Sequence, residues 1–187
     1  MHADARVADE DGEELPAGEI GELELASPHA ADRYWRNEAE TAETFGGVSA
    51  SEASGGSEDP ASGGWVSTGD LARRDEDGYF YIEGRKKNMY VSGGENVYPA
   101  AVEDRIADHP KVEEVVVVPV PDDQWGQVGK AVVQGDESLT LEELTDFLEG
   151  TLARFKRPRH LAFVGEMPTS GPSKIDRQAV SAEFGEE

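Results

Sequence analysis

The sequence predicts an α+β fold, on three observations. From Lys86 onward, runs of β-branched residues, "VEEVVVVPVP" (112–121) and "QVGKAVVQG" (127–135), alternate with segments of helical periodicity. Ahead of them, 1–86 shows short apolar runs separated by turn residues, the habit of strands. Between residues 46 and 64 the chain is almost wholly Gly, Ser, Ala, Pro and acid, which cannot bury enough apolar surface to offset chain entropy. The expected organisation is a β-rich segment 1–86 interrupted by a mobile loop at 46–64, then a compact α+β domain over 87–187: a small β-sheet flanked by helices.

The elements follow in order. Asp9 to Gly12 is a hairpin-turn signal. "GEIGELELAS" (Gly18–Ser27) reads as a strand with Ile20, Leu23 and Leu25 as its apolar positions. "NEAETAETF" predicts a short helix capped by Asn37. Gly64 to Arg85 reads as two strands joined at the turn Asp75–Gly78. A calcium loop starting at Asp75 is ruled out, because Tyr79 and Lys86 stand where oxygen ligands are required. "NMYVSGGENVYP" predicts a strand and a glycine turn, and Pro99 to His109 a helix with Pro110 as its stop. Thr140 and Glu143 form a capping box, and Leu141, Leu144, Leu148, Leu152 and Phe155 continue one helical face from it. "LAFVG" (161–165) is a further strand. One sheet covered by two helices is the expected core.

Composition narrows the function. No apolar run reaches the roughly 18–20 residues of a membrane span, and no signal-peptide pattern is present, so the expectation is a soluble, cytoplasmic protein. Without cysteine there is neither a disulfide framework nor thiolate chemistry. His2, His29, His109 and His160 lack metal-ligand spacing. The net charge of −23 is spread along every segment. Such a charge opposes compaction at low ionic strength, whereas at 1 M salt the Debye length is about 3 Å. A salt-rich cytoplasm of haloarchaeal type accounts for this most simply; a basic partner is the alternative. No basic face is available to displace the counterions of a nucleic acid.

Five segments carry the residue types of a binding or reacting site, and each also has an ordinary structural reading. In "STGD" (Ser67–Asp70) a carboxylate beside a glycine suits a ribose diol, or simply closes a turn. "GRKKN" (Gly84–Asn88) groups three cations where the two halves of the chain meet, as a surface patch also would. "SGGEN" (Ser92–Asn96) lets backbone approach a ligand closely, or forms a tight hairpin. "ARFKRPRH" (Ala153–His160) concentrates Arg154, Lys156, Arg157 and Arg159, four of 17 cations, within six positions of an acidic chain. That island suits a phosphate-bearing ligand, with Phe155 offering a ring face; complementing a helix C-terminus is the other reading. "PTSGPSKIDR" (Pro168–Arg177) is a short loop with one lysine, Lys174.

Taken in order, "GEIGELELASPHAADRYWRNEAETAETF", "GGWVSTGDL", "DGYFYIEGRKKNMYVSGGENVYPAAVED", "PDDQWGQ", "RFKRP" and "PTSGPSKIDR" resemble the later motifs of the adenylate-forming (AMP-binding) superfamily. That superfamily includes acyl- and aryl-CoA synthetases, firefly-type luciferases and peptide-synthetase adenylation domains. The resemblance covers nearly the whole chain apart from the Gly/Ser insertion. It implies that 1–86 is the β-rich end of the N-terminal AMP-binding domain and 87–187 the C-terminal lid domain. The implied activity is that of an acid–CoA ligase, joining a carboxylic acid to CoA through an acyl-adenylate with ATP as the second substrate.

The resemblance also implies roles. Asp70 would hold the ribose hydroxyls with Arg85 assisting, and Lys87 would be the hinge. Lys174 would bridge the carboxylate and α-phosphate during adenylation. Gly93 and Gly94 would line the pantetheine tunnel, with Glu95, Asn96 and Trp125 near it. Phe155, Arg157 and Arg159 would contact the nucleotide end of CoA. Where the family usually has Gly before the catalytic lysine, this chain has Ser173. The family's phosphate loop, acyl pocket and Mg²⁺-binding Glu have no counterpart in this sequence. The expectation is therefore that adenylation needs a missing N-terminal domain, in cis or in trans. A lid that loads a carrier protein and a non-catalytic binding remnant are the alternatives.

Overall fold

Residues 3–27, 31, 35–45, 65–171 and 174–185 are described by the computed structural model. The expected mobile loop at 46–64 and the departure at Ser173 lie outside them. The chain divides into two units, Met1–Lys87 and Asn88–Glu187.

The first unit holds an antiparallel sheet of β1 (Asp4–Ala8), β2 (Ile20–Ala26), β3 (Val66–Arg74) and β4 (Phe80–Arg85), in that order, with helix α1 over Glu38–Phe45. The predicted alternation of β2 is broken by a bulge between Glu22 and Glu24. A bulge shifts the faces of a strand, so Gly21 and Ala26 are buried while Leu25 is exposed. The β3–β4 turn is closed by Asp75, whose carboxylate accepts N–H bonds from Asp77 (3.0 Å) and Tyr79 (2.8 Å) and the Tyr81 hydroxyl (2.9 Å). These bonds, the one from Tyr79 foremost, hold its pKa below the usual carboxylate value.

The second unit is a five-stranded sheet. Strands β5 (Tyr90–Ser92), β6 (Glu95–Val97), β7 (Val112–Asp122) and β8 (Gly126–Gly135) lie in the order β6-β5-β8-β7, and β9 (His160–Phe163) pairs parallel to β8. The helices are α2 (Pro99–Ala107), α3 (Leu141–Phe147) and α4 (Arg177–Phe184). The alternation of β7 sorts its valines into two cores. Val115 and Val117 join Val102, Ile106, Leu144 and Leu148 on one face. Val116 and Val118 join Val132, Met167 and Val180 on the other.

Three sequence expectations change here. The capping box is half formed: Thr140 Oγ1 accepts from the Glu143 amide at 3.1 Å, but the Glu143 carboxylate bonds Lys111 Nζ at 2.7 Å. Helix α3 stops at Phe147, and Gly150 takes a φ of +81° just beyond. A glycine in the left-handed region ends a helix readily. Leu152 and Phe155 therefore reach the core from a turn and a 3-10 segment (Arg154–Lys156), not from the helix. A helix absent from the sequence reading, α4, covers the second face of the sheet. Its Asp176 caps the amides of Gln178 and Ala179, both at 3.1 Å, and only its Val180 is fully buried.

Candidate functional site

In the first unit, β3 and β4 bring Asp70 opposite Arg85. Arg85 Nε lies 2.8 Å from Asp70 Oδ1, and Arg85 Nη1 donates to the Thr68 carbonyl at 3.2 Å. Thr68 Oγ1 accepts from the Asp70 amide at 3.1 Å and donates to the Leu23 carbonyl at 2.7 Å. Glu22 is held as well, accepting from the Gly69 amide and from Lys86. The carboxylate of Asp70 is thus positioned by cross-strand pairing while staying partly exposed, the condition for sharing it with a diol. Lys87, the last residue of this unit, is exposed.

In the second unit, the Gly93–Gly94 turn joins β5 to β6 and rests on Trp125. The Gly93 amide donates to the Trp125 carbonyl at 2.9 Å. Both glycines have positive φ, +62° and +87°. A Cβ on Gly93 would lie 2.7 Å from Trp125 Cζ3 and closer still to Cε3. Trp125 is itself fixed by Asp122, whose Oδ1 accepts from the amides of Gln124 (2.9 Å) and Trp125 (2.8 Å). Those two bonds, the Trp125 one foremost, lower the Asp122 pKa, and Arg159 and His160 add to the effect. The Arg159 guanidinium stands 4.7 Å from the Trp125 ring centroid, a cation–π contact. Trp125 Nε1 is buried with no hydrogen-bond partner among the described residues.

Gly93, Trp125 and Arg159 therefore form one connected surface. Arg159 is also shared with an open groove of about 850 Å³ lined by Arg154, Arg157 and Pro158 together with Glu142, Thr145 and Glu149. Arg157 is braced there, donating from Nε to the Leu152 carbonyl at 3.0 Å with Nη1 3.9 Å from Glu149. Phe155 is less available than the sequence suggests, because it packs against the core, with Lys156 Nζ 5.8 Å from its ring centroid. Glu95 and Asn96 are exposed on β6. Lys174 stands on a separate element, the hairpin between β9 and α4, and is exposed. That hairpin is closed by the Thr169–Ile175 bridge, with the Ser170 amide donating to the Lys174 carbonyl at 2.7 Å.

Sequence reasoning missed Asp122, whose signal was available: an Asp three residues before Trp125, with both intervening positions polar, is an Asx-turn spacing. No group of three or more His, Asp or Glu side chains among the described residues is placed to hold a metal ion. The Mg²⁺ that the family resemblance implies, with its site expected outside this chain, finds no fit among them. No helix among the described residues is long and apolar enough to cross a membrane.

A glycine-turn surface and a lysine hairpin on one α+β unit, preceded by a strand pair presenting a carboxylate, define a class. Over its length the chain is similar to the C-terminal portion of adenylate-forming enzymes. Residues 101–174 match the AMP-binding enzyme C-terminal domain. The chain is 38% identical to a feruloyl-CoA synthase of an Amycolatopsis species over 184 residues, covering 97% of this chain and 34% of that protein. It is 37% identical to a medium/long-chain-fatty-acid–CoA ligase of Mycobacterium tuberculosis over 193 residues, covering 97% and 31%. The ATP-bound crystal structure of MatB from Rhodopseudomonas palustris superposes with a TM-score of 0.79 at 33% identity, over 97% of this chain and 34% of that one. The chain thus spans about a third of the length of these relatives.

Proposed function

We propose that the chain supplies the lid and the ribose-contacting strands of an ATP-dependent acid–CoA ligase, acting with an N-terminal AMP-binding portion in cis or in trans. Residues 1–86 are the end of that portion and 87–187 the lid, with Lys87 as hinge. The observation that carries the reading is the continuous surface from Gly93 through Trp125 to Arg159 and the arginine groove. It offers a narrow glycine wall for a thin chain and cations for phosphates at its far end, which is the shape of CoA.

In the first half-reaction Lys174 places its ammonium between the acid's carboxylate and the α-phosphate of ATP. In the second, the lid turns so that Gly93 and Gly94 flank the pantetheine arm, with Glu95 and Asn96 beside it. Phe155, Arg157 and Arg159 then face the nucleotide end of CoA, and Asp70 with Arg85 keeps the ribose of the adenylate throughout. One small domain serves two steps by presenting a different edge in each. The acid is chosen outside this chain; relatives named for feruloyl and fatty acyl groups make an aryl or fatty acid the expected class.

Calorimetry tests the CoA surface. CoA is expected to bind the chain weakly, dephospho-CoA more weakly, and Arg157→Ala to lose about tenfold in affinity, the worth of a charge-assisted contact. Equal affinity for CoA and dephospho-CoA would favour a pantetheine delivered on a carrier protein. The charge of −23 supports a salt-rich cytoplasm as the setting. Circular dichroism is expected to show cooperative folding only as salt is raised toward molar concentration, where repulsion is screened. A stable fold in salt-free buffer would remove that reading.

A further inference from the structure

One ion pair of the second unit, Glu103–Arg177, belongs neither to the glycine-turn surface nor to the arginine groove. Glu103 of α2 is buried, and both of its oxygens are in use. Its Oε1 accepts from the Val117 amide at 2.6 Å and from Arg177 Nη1 at 2.8 Å, while Oε2 receives Arg177 Nη2. The topology explains why a carboxylate belongs there. Among the described strands β7 pairs only with β8, so its other edge leaves amides to be satisfied, and Glu103 covers the one at Val117. Helix α2 packs its Val102 and Ile106 into the first core, and α4 packs its Val180 into the second. The pair Glu103–Arg177 thus clasps the open edge of the sheet, joining the helices that serve its two faces.

Arg177 is three residues beyond Lys174. Between them, Ile175 packs against the second core, and the Asp176 amide donates to the Pro168 carbonyl at 2.7 Å while its carboxylate caps α4. The lysine hairpin therefore has its base closed by hydrogen bonds, and its downstream strand runs directly into the residue that the buried carboxylate holds. A bidentate guanidinium–carboxylate contact fixes orientation as well as distance, and here it fixes the first turn of the helix from which the hairpin projects.

We propose that Glu103 and Arg177 are positioning residues for Lys174: their clasp across the edge of β7 sets where the lysine hairpin stands on the lid. This rests on the reading of Lys174 as the adenylation lysine. Arg177 of the clasp directly follows the lysine hairpin, so the clasp is assigned to adenylate formation rather than to transfer to CoA.

Amide hydrogen exchange on the full chain tests the clasp without any catalysis. In Arg177→Leu, exchange at Ser170 and Asp176 is expected to rise at least tenfold while amides of β8 keep their protection. Glu103→Gln, which preserves size and an acceptor for Val117, is the second variant should Arg177→Leu fail to fold, with the same expectation. Arg177→Lys should restore part of the protection, because it keeps the charge but not the fork. Unchanged exchange at Ser170 and Asp176, or an increase matched throughout β8, would overturn the clasp as a local device.

In the chain completed with an N-terminal AMP-binding portion, the same variants should slow adenylate formation about tenfold and leave CoA transfer from a supplied acyl-adenylate unaltered. Equal loss in both half-reactions, or none in adenylation, would overturn the positioning role. If Lys174→Ala itself leaves adenylation intact, the assignment of the lysine fails, and the exchange result still decides whether the clasp holds the hairpin.

Discussion

Replacing Lys174 by alanine, in the chain completed with its N-terminal portion, is expected to slow acyl-adenylate formation by on the order of a hundredfold or more. Conversion of a supplied acyl-adenylate to the thioester should proceed at the wild-type rate. The first expectation follows from what adenylyl transfer asks of a protein. Little covalent chemistry is required, so rate comes from positioning and from charge set where charge develops. Lys174 is exposed on its hairpin, and a solvated ammonium contributes little until a closing domain excludes water around it. The second expectation follows from the fold: Gly93 and Trp125 contact one another from the β5–β6 turn and the turn before β8, whereas Lys174 belongs to the segment between β9 and α4. Pyrophosphate exchange reads the first step and thioester formation the second. Equal slowing of both would show that the lysine acts in the shared nucleotide site or in folding, and no slowing of either would remove it from the mechanism.

The fold was legible where local chemistry and tertiary packing agree. The valine runs of β7 and β8, the Pro99 start of α2 and the Asp75 turn are each demanded by short-range patterns, and they form as those patterns require. Reading failed where packing decides. Leu152 and Phe155 continue the spacing of α3 and do enter the same core, but Gly150 interrupts the helix between them. Helical periodicity records which side chains are inward, not whether the backbone between them is continuous. Helix α4 escaped because it is short and fully buries a single residue, Val180; Phe184, four residues on, is only partly buried, and Ile175 lies ahead of the helix. At the candidate site, sequence brought forward the residues that project: Asp70, Arg85, Trp125, Arg159 and Lys174. It passed over those that hold them, Asp122 beneath Trp125 and Glu103 behind Arg177. Such supports are ordinary acidic residues in a chain with 40 of them, and only a partner's position distinguishes them.

Gly93→Ala is expected to produce the opposite division of rates, with thioester formation falling on the order of a hundredfold and adenylate formation retained. Two effects combine. The φ of +62° lies in the left-handed region, which costs a residue with a Cβ about 1–2 kcal/mol. The added methyl would also meet the face of Trp125, 2.7 Å from Cζ3, inside any ordinary carbon–carbon contact, so either the turn or the indole must move. The indole is not free to move alone. Its backbone is tied to Asp122 and to the Gly93 amide, and its ring carries the Arg159 guanidinium. A displacement at the glycine is therefore passed on to the cation expected at the far end of CoA. A shift of about 1 Å in a positioned ligand is enough for a loss of that order. Gly94→Ala provides the comparison, since its φ of +87° brings the same backbone cost but its Cβ meets nothing within 4 Å. A markedly smaller loss for Gly94→Ala would assign the effect to the Gly93–Trp125–Arg159 stack; equal losses would assign it to the turn's backbone alone. Unimpaired thioester formation in both variants would show that the pantetheine arm does not pass this turn.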